Sequence, residues 1–92
     1  MTARFNHTII ASTDPAEMAG FYRDLLEADE APSWGPFHNV QLTDGVLLQF
    51  ATPPIEFPPQ HYAYLVDDDH FDRVYLLDPS GHYLELLTRP YL

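Results

Sequence analysis

Between residues 4 and 11 the chain alternates with a period of two. Phe5, His7 and Ile9 share one face and Thr8 and Ile10 the other, which predicts a strand. The period then changes. Met18, Phe21, Tyr22, Leu25 and Leu26 recur at helical spacing and form one apolar stripe. Asp14 stands where an N-cap belongs, Pro15 suits the first helical position, and Glu17 completes a capping-box pattern. Core packing accounts for this stripe, and no chemistry is assigned to it. Residues 31–36 place two prolines and a glycine around Trp34 and read as a loop or a broken strand. Residues 37–42 and 46–51 read as two strands joined through Thr43, Asp44 and Gly45, a hairpin signal.

Residues 52–59 then carry four prolines in eight positions, a stiff connector between two halves of one domain. Residues 61–66 read as a strand. Asp67, Asp68 and Asp69 resemble a helix N-terminus, yet no helical pattern follows. Residues 74–77 are again strand, residues 78–81 a turn, and residues 82–88 a last strand.

The two halves echo each other. His7 precedes Asp14 by seven positions, and His61 precedes Asp68 by seven; Gly45 precedes Gln49 by four, and Gly81 precedes Glu85 by four. A duplicated module is the economical explanation. His7 to Gln49 spans 42 positions but His61 to Glu85 only 24, so the second half is shorter by 18. A helix and a strand would fill that difference. The acidic run at 67–69 caps nothing, and Tyr62, Tyr64, Leu84 and Leu86 form an apolar face with no helix to cover it. The expected organisation is a first module at 1–52, a connector at 53–60 and a shortened second module at 61–92. Residues are expected to be missing between 71 and 74. Either they are absent from the sequence as given, which is the favoured expectation, or the chain is naturally short and another subunit covers the face.

Composition narrows the function classes. Fourteen acidic residues face four basic ones, all arginine, for a formal net charge of −10. Nucleic-acid binding needs a cationic face, and there is no basic cluster. The absence of cysteine excludes disulfide scaffolds and thiolate metal sites. No apolar run reaches membrane-span length, and the first residues do not form a secretory signal, so no membrane partner and a cytoplasmic location are expected. The acidic field suits solubility and also attracts cations.

Three stretches carry a family resemblance: Phe5-Asn6-His7-Thr8-Ile9-Ile10, Phe21-Tyr22-Arg23-Asp24-Leu25-Leu26, and Asp78-Pro79-Ser80-Gly81-His82-Tyr83-Leu84-Glu85-Leu86. They resemble the vicinal oxygen chelate superfamily, which includes glyoxalase I, extradiol dioxygenases, fosfomycin-resistance transferases and bleomycin-resistance proteins. The resemblance implies an α+β fold of paired βαβββ modules, whose curved mixed sheets surround a cleft, with the second module incomplete here. It also implies a divalent metal held by His7, His61 and Glu85, with Gln49 as a fourth ligand or a substrate contact. A homodimer, with modules exchanged between chains as one arrangement, is expected on the same ground. The sequence departs from the family pattern at Glu27, where the first helix ends and a glycine is usual.

Two imidazoles and a carboxylate leave coordination positions open for water and substrate, and suit Fe, Mn, Ni or Zn. Each residue also has a plainer reading. His7 fits a hydrogen-bonded core histidine, and His61 fits a residue that caps a strand end. Glu85, inside an apolar strand, needs a partner when buried; a salt bridge to Arg4 or Arg89 is the structural answer and metal ligation the functional one. His38, His70 and His82 match no ligand position and read as surface residues. The leading expectation is a metal-dependent lyase, isomerase or dioxygenase acting on a small oxygenated molecule. The alternatives are a metal-free binding protein, with Trp34, Phe50 and Tyr83 as aromatic pocket walls, and a structural dimerisation module.

Overall fold

The structure, a computed structural model, describes residues 1–68 and 70–90. The chain forms two compact units, Met1–Phe57 and Pro58–Leu92, each built on its own sheet. The fold is α+β, of the βαβββ-module type, with a smaller second sheet.

In the first unit β1 (His7–Ala11) leads into α1 (Pro15–Leu26), followed by β2 (Asp29–Trp34), β3 (Phe37–Gln41) and β4 (Leu47–Ala51). The sheet order is β1-β4-β3-β2, with β1 parallel to β4 and the other pairs antiparallel. The stretch containing Trp34 is the broken strand of the two alternatives: β2 pairs with β3 but slips register between Ala31 and Trp34. Helix α1 packs on β3 and β4, burying Met18, Ala19 and Tyr22 against the sheet face that carries Ile10, Val40, Leu48 and Phe50. Tyr22 and Phe50 meet ring to ring at 4.9 Å. Burying each large side chain of this kind contributes about 1.5–3 kcal/mol.

Both ends of α1 are set by local chemistry. The Asp14 carboxylate accepts the Glu17 backbone N–H at 3.2 Å, and Asp14→Ala is expected to cost about 1 kcal/mol in urea denaturation. At the other end Glu27 takes the left-handed conformation at φ 52°, and its N–H caps the Arg23 carbonyl. A side chain in that region is strained by about 1–2 kcal/mol, which glycine avoids. Glu27→Gly is therefore expected to raise the thermal midpoint, and a fall would show that the Glu27 side chain contributes more than its strain costs.

The second unit contains β5 (His61–Leu65), β6 (Arg73–Leu77) and β7 (Tyr83–Leu87), in the order β5-β7-β6, with β5 parallel to β7. β5, β7 and β6 correspond to β1, β4 and β3. Among the described residues this unit has no helix and no counterpart of β2. No helix follows the acidic run among the described residues: the Asp68 carboxylate accepts the His70 backbone N–H at 2.7 Å, and Asp69 lies outside the described residues. β6 begins at Arg73, directly after Asp72.

Among the described residues no helix covers the face of Tyr62, Tyr64, Leu84 and Leu86, as expected, yet Leu84 and Leu86 are buried and Tyr62 and Tyr64 half-buried. Val74, on that same face, is exposed; Leu65, Tyr75, Leu77 and Tyr83 are exposed on the other face, which strand pleating makes common to the buried Glu85 and Leu87. No helix among the described residues is long and apolar enough to cross a membrane.

Candidate metal centre

The repeat extends to individual hydrogen bonds. In the first unit His7 lies opposite Leu47 and Ile9 opposite Gln49; in the second His61 lies opposite Tyr83 and Ala63 opposite Glu85. Each half therefore places a histidine on an edge strand and an amide or acid one strand over and two residues further on, on the same face. The bond that begins each parallel ladder also recurs: Leu47 N–H to the Asn6 carbonyl at 3.0 Å, and Tyr83 N–H to the Gln60 carbonyl at 2.8 Å. The preceding turns match as well, with Gly45 at φ 94° and Gly81 at φ 87°. That left-handed backbone is why a glycine stands four residues before both Gln49 and Glu85.

The second unit brings two of the expected ligands into contact. His61 Nε2 and Glu85 Oε1 are 2.9 Å apart. The other carboxylate oxygen, Oε2, lies 3.3 Å from Arg73 Nε, and Arg73 also donates to the Tyr75 hydroxyl at 3.3 Å. Glu85 is only 3 % exposed, so desolvation alone would disfavour its charge; the guanidinium and the imidazole N–H offset that penalty. The basic partner is thus Arg73, not Arg4 or Arg89. Arg89 pairs with Asp72 at 3.2 Å.

In the first unit the His7 ring is oriented by its neighbour. His7 Nδ1 is 2.7 Å from Asn6 Oδ1, so Nδ1 carries the proton and Nε2 presents its lone pair. Gln49 is buried on the same face, beside Asn39 of β3. The Asn39 amide donates to the Pro32 carbonyl at 2.8 Å and so anchors the irregular part of β2. Trp34 and Tyr83 are exposed, with Tyr83 on the face of His61 and Glu85.

Two sequence expectations are corrected. Phe50 is no pocket wall: it is 0 % exposed and lies on the helix-covered face against Tyr22, because it alternates with Gln49 along β4. His82 is no surface residue: it is fully buried, its Nδ1 accepting the Gln60 N–H at 2.9 Å. Sequence reading also missed Arg73, whose place in β6 was obscured by the break expected there. Alternation of Arg73, Tyr75 and Leu77 was the available signal. Among the described residues no group of three or more His, Asp or Glu side chains that could hold a metal ion is found.

The contact between His61 and Glu85 does fit two adjacent ligands of one ion. With metal–ligand bonds of about 2.1 Å meeting at a right angle, the two donor atoms lie about 3 Å apart. The hydrogen bond needs a proton on Nε2, and a metal ion would take that proton's place.

No protein-family model matches the chain, and no curated protein matches it in sequence. Solved structures do match. The oxidase ChaP-H2 superposes with a TM-score of 0.85 at 33% identity, over 99% of this chain and 97% of that one. The oxidase ChaP-H1 gives 0.84 at 35% identity, over 98% of each chain. A lactoylglutathione lyase from Agrobacterium tumefaciens gives 0.76 at 16% identity, over 94% and 93%, and at that identity shares the fold alone.

Proposed function

The chain belongs to the vicinal oxygen chelate superfamily of glyoxalases and bleomycin-resistance proteins, and from that membership we propose a divalent-metal-dependent enzyme of the oxidase type acting on a small oxygenated molecule. The contact between His61 and Glu85 carries this reading, because it presents two donors at the spacing of neighbouring metal ligands. The oxidases ChaP-H2 and ChaP-H1 are each more than 30% identical to this chain, which favours oxidation over isomerisation.

His61 Nε2, Glu85 Oε1 and His7 Nε2 would hold the ion, which is Fe, Mn, Ni or Zn in type. Gln49 would serve as a neutral fourth ligand or as a hydrogen-bonding partner for substrate. A bound ion supplies Lewis acidity to a substrate oxygen. The chain's own residues do the rest. Arg73 holds Oε2 and so leaves Oε1 to the site. Asn6 fixes the His7 tautomer. Tyr75, Leu77 and Tyr83 would offer an apolar floor on the face of Glu85 for a flat substrate. A homodimer with exchanged modules is the assembly that would pair a His7 half-site from one chain with a His61 half-site from another; mass measurement in solution tests it.

Protein purified without a histidine tag is expected to contain nearly one equivalent of a divalent metal, lost in His7→Ala and in His61→Ala. Loading the metal-free protein should release protons, seen as a binding heat that changes with buffer. Stoichiometric metal retained in both histidine variants contradicts the proposal. The second reading is a metal-free small-molecule binder of the bleomycin-resistance kind. One observation favours it: both Glu85 oxygens have partners from the chain itself. Metal-free protein that binds a cationic aromatic ligand as tightly as loaded protein would establish that reading instead.

A further inference from the structure

We propose that His82 is a positioning residue for His61, its buried imidazole holding the start of β5 in place so that the His61 ring meets Glu85. The inference rests on the metal-site reading, but its geometry lies wholly within the second unit. Pro58 and Pro59 precede β5 and have no N–H to give. Gln60 is therefore the first residue after that pair able to donate a backbone hydrogen bond, and it donates to His82 Nδ1 at 2.9 Å. Its carbonyl accepts the Tyr83 N–H at 2.8 Å, so Gln60 is held from both sides, and His61 follows it directly.

The imidazole is itself fixed. His82 is 0 % exposed, and its backbone N–H donates to Asp78 Oδ1 at 3.0 Å while its carbonyl accepts the Asp78 N–H at 3.0 Å. The Tyr62 ring stands edge-on to the imidazole, the centroids 5.6 Å apart. β5 is an edge strand with β7 as its neighbour, so its lateral position depends on the β7 ladder and on this clamp. The first module uses another device. Val46 occupies the position matching His82, and the Asn6 side chain orients His7 directly.

The test uses the full chain and Co(II) as the metal probe, whose visible spectrum reports the geometry of its ligands. His82→Leu removes the acceptor and is expected to weaken Co(II) binding by roughly tenfold or more, the usual effect of losing an outer-shell partner. It should also alter the spectrum and speed hydrogen exchange at the Gln60 amide. His82→Asn places an oxygen near the Nδ1 position and should restore affinity, spectrum and protection. Wild-type affinity and spectrum in a folded His82→Leu variant overturn the proposal. Should His82→Leu not fold, His82→Gln, its acceptor displaced by one methylene, takes its place under the same criteria. Wild-type protein that binds no Co(II) defeats the metal reading instead. The clamp is then judged on the metal-free His82→Leu crystal structure, where a His61–Glu85 contact unchanged from wild type overturns it.

Discussion

Glu85→Leu is expected to abolish divalent-metal binding while making the metal-free protein more stable, by about 1 kcal/mol. The loss of binding should exceed roughly a hundredfold, since outer-shell partners alone account for ten- to a hundredfold. The gain in stability follows from desolvation. Glu85 is buried, but its partners are not: the side chains of His61 and Arg73 are 56% and 45% exposed. Removing the carboxylate returns both to water instead of stranding a buried charge, and an apolar side chain fills the space. A residue that destabilises the resting fold and is needed for binding is what a functional site predicts. Thermal melts with and without chelator, alongside a metal titration, check both halves. A variant that loses stability without metal would mark Glu85 as a structural ion-pair partner.

Phe50→Ala should have the largest effect on folding, about 3–5 kcal/mol. The ring is fully buried and packs against Tyr22 at a 47° tilt beneath α1, and the cavity would lie in the first unit's core. For a domain of this size that corresponds to a fall of about 12 °C or more in the thermal midpoint, a large share of a typical total stability of about 5–15 kcal/mol. A midpoint within a few degrees of wild type would mean that Phe50 lines open space after all.

The contrast between these residues shows where the sequence was legible. Strand period, the Asp14 cap and the glycine turns gave the elements nearly to the residue, because each follows from local backbone chemistry. The duplicated spacing located Gln49 and Glu85 on equivalent strands, and the matching ladders bear out the repeat. Pleat alternation even placed Phe50 opposite Gln49, which should have removed it from the pocket candidates.

What could not be read depended on contacts distant in sequence. His82 follows a turn and looks exposed, yet it is fully buried, its ring accepting the Gln60 N–H from 22 positions earlier and meeting the Tyr62 ring edge-on. Arg73 is one of four arginines, and nothing local marks it as the one that reaches Glu85. Glu27 departs from the family pattern, and its left-handed backbone shows that the position still has glycine geometry.

The proposed function places a divalent ion at the paired His61 and Glu85. Anomalous diffraction from crystals grown with Mn(II) tests this most directly. A single strong peak bonded to His61 Nε2 and Glu85 Oε1 is expected, and no peak at Glu85 would contradict the proposal.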